Sequence, residues 1–205
     1  MKMLKFKKMK QLIYTLLFFI SILIGSACLP TGGDITTTSD SINYLIPKGA
    51  HYATPRLNQS HSGISRITYY IQFESNCKYK LNTIDSNDIN KAYGYSYGLH
   101  QSNSTRLGWN WKSDTLMLYN YSYFSGTRVS RKIGNFATQK PIYVDQKLSG
   151  DTSWITLVQN NKALSRFVVG KGTTKQSGYF LYPYFGGTSV SPNNMNIKIW
   201  GVKTY

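Results

Sequence analysis

From about residue 44 onward, hydrophobic and polar positions alternate with a period of two, in short runs separated by turn residues. In Ser65–Phe73, Ile67, Tyr69, Ile71 and Phe73 share one face, and Arg66, Thr68, Tyr70 and Gln72 share the other. That is the pattern of a half-buried strand. Arg106–Trp111 repeats it, with Leu107, Trp109 and Trp111 opposite Arg106, Gly108 and Asn110. Lys112-Ser113-Asp114 turns the chain into Thr115–Phe124, where Met117, Tyr119, Tyr121 and Tyr123 alternate, and Ser125-Gly126 turns it again into Thr127–Ile133. Trp154–Gln159 and Ala163–Val169 flank Asn160-Asn161, a two-residue hairpin loop, since Asn tolerates positive φ. Tyr179–Phe185 and Asn196–Lys203 supply the last strands, and only Asn87–Ala92, with Asn87 as cap, reads as a short helical turn.

Roughly nine or ten short strands with regular turns predict an all-β fold, an antiparallel two-sheet sandwich. Ile67, Ile71, Leu107, Trp109, Ile197 and Ile199 are the expected core, because a sandwich buries alternate residues of both sheets.

The first 28 residues follow another rule. Met1–Lys10 holds five lysines and no acid, Leu12–Ile24 is apolar, and Gly25-Ser26-Ala27-Cys28 follows. A basic head, a short apolar run and small residues before a cut site form a secretory signal, and the apolar run is too short to span a bilayer. Cys28 at the cut site resembles a lipoprotein signal, although Gly25 stands where that pattern usually has Leu. Cleavage after Ala27 without lipid is the alternative. The expected organisation is a signal peptide over 1–27, a lipidated N-terminus and Thr/Ser/Gly-rich tether over 28–43, and one domain over 44–205. This places the protein at the cell envelope, as an outer-membrane or surface lipoprotein, or else secreted.

Without residues 1–27 the chain keeps 19 of its 24 basic residues and all eight acids, a net charge of +11 spread along the domain. Such a surface suits an acidic polysaccharide, another anionic cell-surface polymer or phospholipid. Export and the lack of any recognition motif set nucleic acid aside. With Cys28 lipidated, Cys77 has no partner and reads as a half-buried strand residue; otherwise a Cys28–Cys77 disulfide is permitted. His51, His61 and His100 are scattered, without zinc-type spacing.

Arg106-Leu107-Gly108-Trp109-Asn110-Trp111, then Thr115–Tyr119 and Tyr121-Ser122-Tyr123, resemble the concanavalin-like jelly-roll lectin and glucanase group. Tyr182-Pro183-Tyr184-Phe185-Gly186-Gly187 and the final Asn196–Trp200 fit the same pattern. More narrowly, Ile46–Tyr52 and Asp88-Ile89-Asn90-Lys91 resemble an uncharacterised family of secreted Bacteroidota proteins, which implies no activity.

Carboxylates are scarce. Glu74 is the single glutamate, and Asp34, Asp40, Asp85, Asp88, Asp114, Asp145 and Asp151 are the remaining acids. A glycosidase needs a carboxylate pair, and the Glu-x-Asp-x-x-Glu strand of the jelly-roll glucanases is missing. Asp85–Asn90 gathers oxygen ligands without calcium-loop spacing and reads better as a capped turn. The chain therefore calls for no catalytic residue, metal or cofactor.

Tyrosines recur at period two in Tyr93-Tyr95-Tyr97, Tyr119-Tyr121-Tyr123 and Tyr182-Tyr184. Tyr119, Tyr121 and Trp109 read as core, because Leu and Met share their strands. Between Tyr93 and Trp111, polar and aromatic residues interleave between glycines. Tyr95, Tyr97, His100, Asn103 and Arg106, with Gln101, combine stacking surface, a cation and amides, which suits a charged sugar. With Leu107 and Trp109 inside, Arg106 is expected to point outward, with Gly108 leaving open surface beside it.

The favoured reading is a non-catalytic glycan-binding protein with a preference for acidic polysaccharide. The alternative is a polysaccharide lyase, in which Tyr97 or His100 abstracts a proton and Arg106, or the amide of Gln101 or Asn103, neutralises a uronate. The Gln-Ile-His and Tyr-Phe-Lys-Ala-Gly elements of the jelly-roll alginate lyases are not present. A structural or adhesive envelope protein without a sugar site is the third reading.

Overall fold

The computed structural model describes residues 41–57, 59–81 and 84–205. The leader, Cys28 and residues 28–40 of the tether lie outside the described residues. Twelve strands are described: β1 (Ile42–Ile46), β2 (Ser60–His61), β3 (Arg66–Phe73), β4 (Asn90–Ser96), β5 (Ser104–Lys112), β6 (Thr115–Phe124), β7 (Thr127–Phe136), β8 (Ile142–Ser149), β9 (Thr152–Gln159), β10 (Lys162–Val169), β11 (Gly178–Leu181) and β12 (Met195–Thr204). They form two antiparallel six-stranded sheets, ordered β1-β12-β3-β8-β9-β10 and β2-β11-β4-β5-β6-β7. The fold is the expected two-sheet sandwich.

All six expected core residues are buried, none more than 1% exposed. The turns also match. β5–β6, β6–β7 and β9–β10 are joined by Ser113-Asp114, Ser125-Gly126 and Asn160-Asn161, and all six loop residues have positive φ. Two-residue loops of that kind match the right-handed twist of the strands they join.

Between the sheets, a polar chain crosses the apolar core. Tyr69 donates to Gln146, Gln146 to Thr105, and Thr105 pairs with Ser153. Ser153 and Ser122 both donate to Asn120, whose amide donates to the Ser153 and Arg166 carbonyls. A buried polar network of this kind is tolerable because its members are partnered, and it fixes how the sheets sit together.

Three local expectations are corrected. Asn87–Ala92 is no helix: a 3-10 turn over Ile84–Asn87 ends there, and Asn90 opens β4. The backbone of Lys91 pairs with Tyr184, while the Asn90 amide donates to Tyr79 and accepts from the Gly186 N–H. Cys77 is fully buried in a 3-10 turn, where its thiol faces the Asn196 carbonyl at 3.1 Å and burial pushes its pKa up to about 12. The expected strand Tyr179–Phe185 is regular only to Leu181, two residues before Pro183, which cannot donate to a ladder.

β4 carries the irregularity that builds the site. Its register against β5 slips by one residue between Lys91, opposite Gly108, and Gly94, opposite Arg106. The extra residue is a β-bulge. Strict alternation would put Lys91 on the face of Tyr93, Tyr95 and Tyr97. The bulge sends those three tyrosines into the core and Lys91 to the outer face.

A cationic, tyrosine-walled cleft on the outer face of the second sheet

On β5, Thr105, Leu107 and Trp109 face the core, so Ser104, Arg106 and Gly108 face outward. On β6 the inward set is Leu116, Leu118, Asn120, Ser122 and Phe124. Tyr119, Tyr121 and Tyr123 therefore line the outer face, contrary to the core reading of Tyr119 and Tyr121, while Trp109 is core as expected. Leu is inward and Met117 outward on the same strand, so the presence of apolar neighbours did not identify the buried parity.

In register, Arg106 sits beside Tyr121, and Ser104 lies beside Tyr123, which pairs with Arg128 of β7. Residues 179–184 form the opposite wall, and the 97–103 loop brings in His100 and Gln101. Together they bound a cleft of about 840 Å³.

Three cations converge there. Lys91 lies 5.2 Å from the ring centre of Tyr121 and 5.4 Å from that of Tyr184. Arg128 lies 5.9 Å from the Tyr121 ring centre. Arg106, 8% exposed, donates through Nη2 to the Tyr182 carbonyl at 2.9 Å, while its buried Nε has no hydrogen-bond partner. Among the described residues, the ion pair is Arg66–Asp145, elsewhere in the fold, and no carboxylate lines the cleft. Asp88 acts on Lys91 and Arg128 only through its field.

Burial, then the neighbouring Arg106, lowers the Lys91 pKa to about 8. Burial also brings Arg106 down to about 10, so it stays charged at neutral pH. Tyr121 is pushed up to about 12, again mainly by burial. His100 faces the hydroxyl of Tyr179, with Nδ1 3.0 Å and the backbone N–H 3.2 Å from it. Burial first, and Arg106 second, lower its pKa, which favours a neutral imidazole at pH 7. Tyr184 is held by paired backbone hydrogen bonds to Lys91, by a stacked His51 ring at 5.4 Å and by the edge of Tyr52 at 5.0 Å.

The sequence-derived residues divide. His100, Gln101 and Arg106 meet in the cleft. Tyr95 and Tyr97 do not: they are at most 1% exposed, and their hydroxyls bond backbone groups of the other sheet. Asn103 accepts the Ser125 N–H at 2.9 Å and serves the turn rather than the cleft. Gly108 leaves no open surface, because Ile89 covers it: a Cβ there would stand 2.6 Å from Ile89 Cγ2. Asp85 accepts hydrogens from the Thr188 and Ser189 hydroxyls at 2.6 Å each, which tie its loop to the 187–189 turn and hold its pKa down. Lys91, Arg128 and Tyr179 were missed, the first because the bulge breaks its alternation.

The fold is that of the concanavalin-like jelly rolls. No family model matches the chain, and no curated protein matches its sequence. An alginate lyase from Klebsiella pneumoniae superposes with a TM-score of 0.53 at 8% identity, over 70% of this chain and 60% of that enzyme. This chain thus spans less than two thirds of the enzyme's length. A functionally unknown protein from Saccharomyces cerevisiae gives 0.51 at 9% identity, over 86% of this chain and 95% of that one. At such identities the likeness is one of fold.

Proposed function

We propose that this protein binds acidic polysaccharide in the outer-face cleft, without catalysis, as an exported chain held at the cell envelope by lipid on Cys28. The observation that carries the reading is Arg106, a buried cation with no carboxylate against it and with Nε unpaired. An uncompensated buried charge is strongly unfavourable, and an anionic ligand supplies the missing partner. Lys91 and Arg128 add charge from two further strands, and the tyrosines offer faces for sugar rings and hydroxyls for sugar oxygens. An alginate lyase with the same fold gives a carbohydrate role a precedent.

Retention on immobilised alginate or pectate, against neutral glucan, tests it. The protein should hold to the acidic matrices and release as salt is raised, because exposed charges are screened beyond about 8 Å at physiological ionic strength. Arg106→Met, which keeps the stem volume, and Arg106→Ala should each weaken acidic-glycan binding by about 1.5–3 kcal/mol. Equal retention on neutral and acidic matrices overturns the reading.

One observation favours β-elimination as a second reading. A neutral His100, set by Tyr179 and sharing the cleft with Arg106, has the composition of a proton acceptor beside a carboxylate-neutralising cation. Tyr97, the other candidate base, is buried away from the cleft. Ultraviolet absorbance from an unsaturated product on alginate or pectate, abolished by His100→Ala, would promote it. Binding without product leaves the non-catalytic reading.

A further inference from the structure

A second concave site lies on the opposite side of the molecule, on the outer face of the first sheet. There a row of side chains runs across the strands in register. Arg66 stands opposite Lys147, Lys147 opposite Trp154, and Trp154 opposite Phe167. The Tyr205 backbone exchanges hydrogen bonds with Arg66, which sets Tyr205 at the other end of the row. Between Tyr205 and Trp154 is a pocket of about 290 Å³, completed by Ser65, Asp145 and Thr156.

Both end walls are exposed aromatic rings, Trp154 at 41% and Tyr205 at 56%. Their neighbours hold them in place: the Lys147 ammonium lies 5.5 Å from the Trp154 ring centre, and the Arg66 guanidinium 5.1 Å from that of Tyr205. The floor is polar and rigid. Arg66 grips Asp145 with two parallel hydrogen bonds of 2.7 Å, the geometry in which a guanidinium and a carboxylate orient one another most firmly. The backbone beneath is pinned from the core. Tyr95 bonds the Ser65 carbonyl and the Leu148 N–H, and Tyr97 bonds the Ile64 and Leu148 carbonyls. Those four contacts fix the strand ends that carry Arg66 and Lys147.

We propose that this pocket is a second glycan site, taking a neutral, hydroxyl-rich sugar ring. Aromatic walls match the C–H faces of a pyranose, and alternating fixed donors and acceptors match its ring of hydroxyls. The volume suits a ring or two and is small for a protein partner, which needs about 800 Å² on each side. Charge separates it from the cleft. Arg66 is already neutralised by Asp145, only Lys147 lacks an acid partner, and a carboxylate in the floor disfavours an anionic ring. The proposal is independent of the cleft's ligand. Phe167, 58% exposed beside Trp154, extends the platform for a longer chain.

Of the four tryptophans Trp154 is exposed, Trp111 half-buried and Trp109 and Trp200 buried, so the site is read as the part of the quenching that Trp154→Ala removes. The intact protein is titrated with cellohexaose, mannohexaose and xylohexaose, and acrylamide quenching of the indole is followed. At least one of the three should shield Trp154. Trp154→Ala and Asp145→Asn should each lower that ligand's affinity by about tenfold or more, measured by calorimetry. Arg106→Met should leave it unchanged, which keeps failure here distinct from failure of the cleft reading. No shielding by any of the three at millimolar concentration, or full affinity in folded Trp154→Ala, overturns the proposal. A dimer that Trp154→Ala converts to monomer also overturns it and assigns the face to a second copy of the chain.

Discussion

Tyr95 gives its hydroxyl hydrogen to the Ser65 carbonyl at 2.7 Å, a bond that crosses the sandwich from β4 to the start of β3. The same oxygen accepts the Leu148 N–H at 2.8 Å. Tyr95→Phe removes both bonds and leaves the Leu148 N–H and the Ser65 carbonyl only their 3.1 Å bond to each other. It should lower stability by about 1–3 kcal/mol in denaturant unfolding, and leave acidic-glycan retention at the cleft unchanged. A mutant of full stability that loses alginate retention would return Tyr95 to the ligand surface.

Lys91 links pH to both stability and binding. Its folded pKa of about 8 lies below its usual value of 10.5, so between those limits the unfolded chain binds more protons than the folded one. The Lys91 contribution to stability therefore rises with pH across that window, as the burden of a buried ammonium is relieved, while buried Cys77, whose pKa is raised, contributes the opposite slope above about 9. An anionic ligand acts the other way, favouring charged Lys91, so affinity should fall as pH passes above about 8. Lys91→Met should remove the stability rise and flatten the fall in affinity. Arg128 stays charged, Arg106 titrates only near 10, Tyr121 only near 12 and His100 at lower pH, so the fall in affinity just above pH 8 belongs to Lys91.

Asn120 holds four partners at the centre of the polar chain. Asn120→Ala leaves two carbonyls and two hydroxyls with lost bonds in a buried setting, for a loss of about 2–4 kcal/mol by chemical denaturation. Asn120→Asp, with the same shape but a charge and no amide hydrogens, should be worse near neutral pH than at pH 4.

Gly108→Ala places a methyl against Ile89 Cγ2. Overpacking of that kind destabilises by about 1–3 kcal/mol, and Ile89→Ala in the same chain should restore part of the loss. If Gly108→Ala is neutral alone, Ile89 does not cap the strand.

The strands and turns were legible because alternation and turn chemistry are local. β3, β6 and β12 can be read directly from Ile67-Tyr69-Ile71-Phe73, the Thr115–Phe124 run and Ile197-Ile199. The cleft was legible only in part. His100 and Arg106 stand out by chemical type, but which tyrosines join them depends on which parity of each strand is buried. Period-two spacing puts three tyrosines on one face without saying which face. Tyr93, Tyr95 and Tyr97 went inward, where the hydroxyls of Tyr95 and Tyr97 meet backbone groups across the sandwich; Tyr121 and Tyr123 went outward beside Arg106 and Arg128. Partners in another sheet leave no trace in the spacing of either strand.

The slipped register between Lys91 and Gly94 has a consequence for the length of β4. Were the same residues paired evenly with β5, with no bulge, Lys91 would fall in step with the three tyrosines that follow it. The chain would then have to bury an ammonium among apolar rings or turn three phenols out to water. One surplus residue opposite β5 spares it that choice, and deleting Ala92 should iron out the bulge while leaving Lys91 outward and the three tyrosines inward.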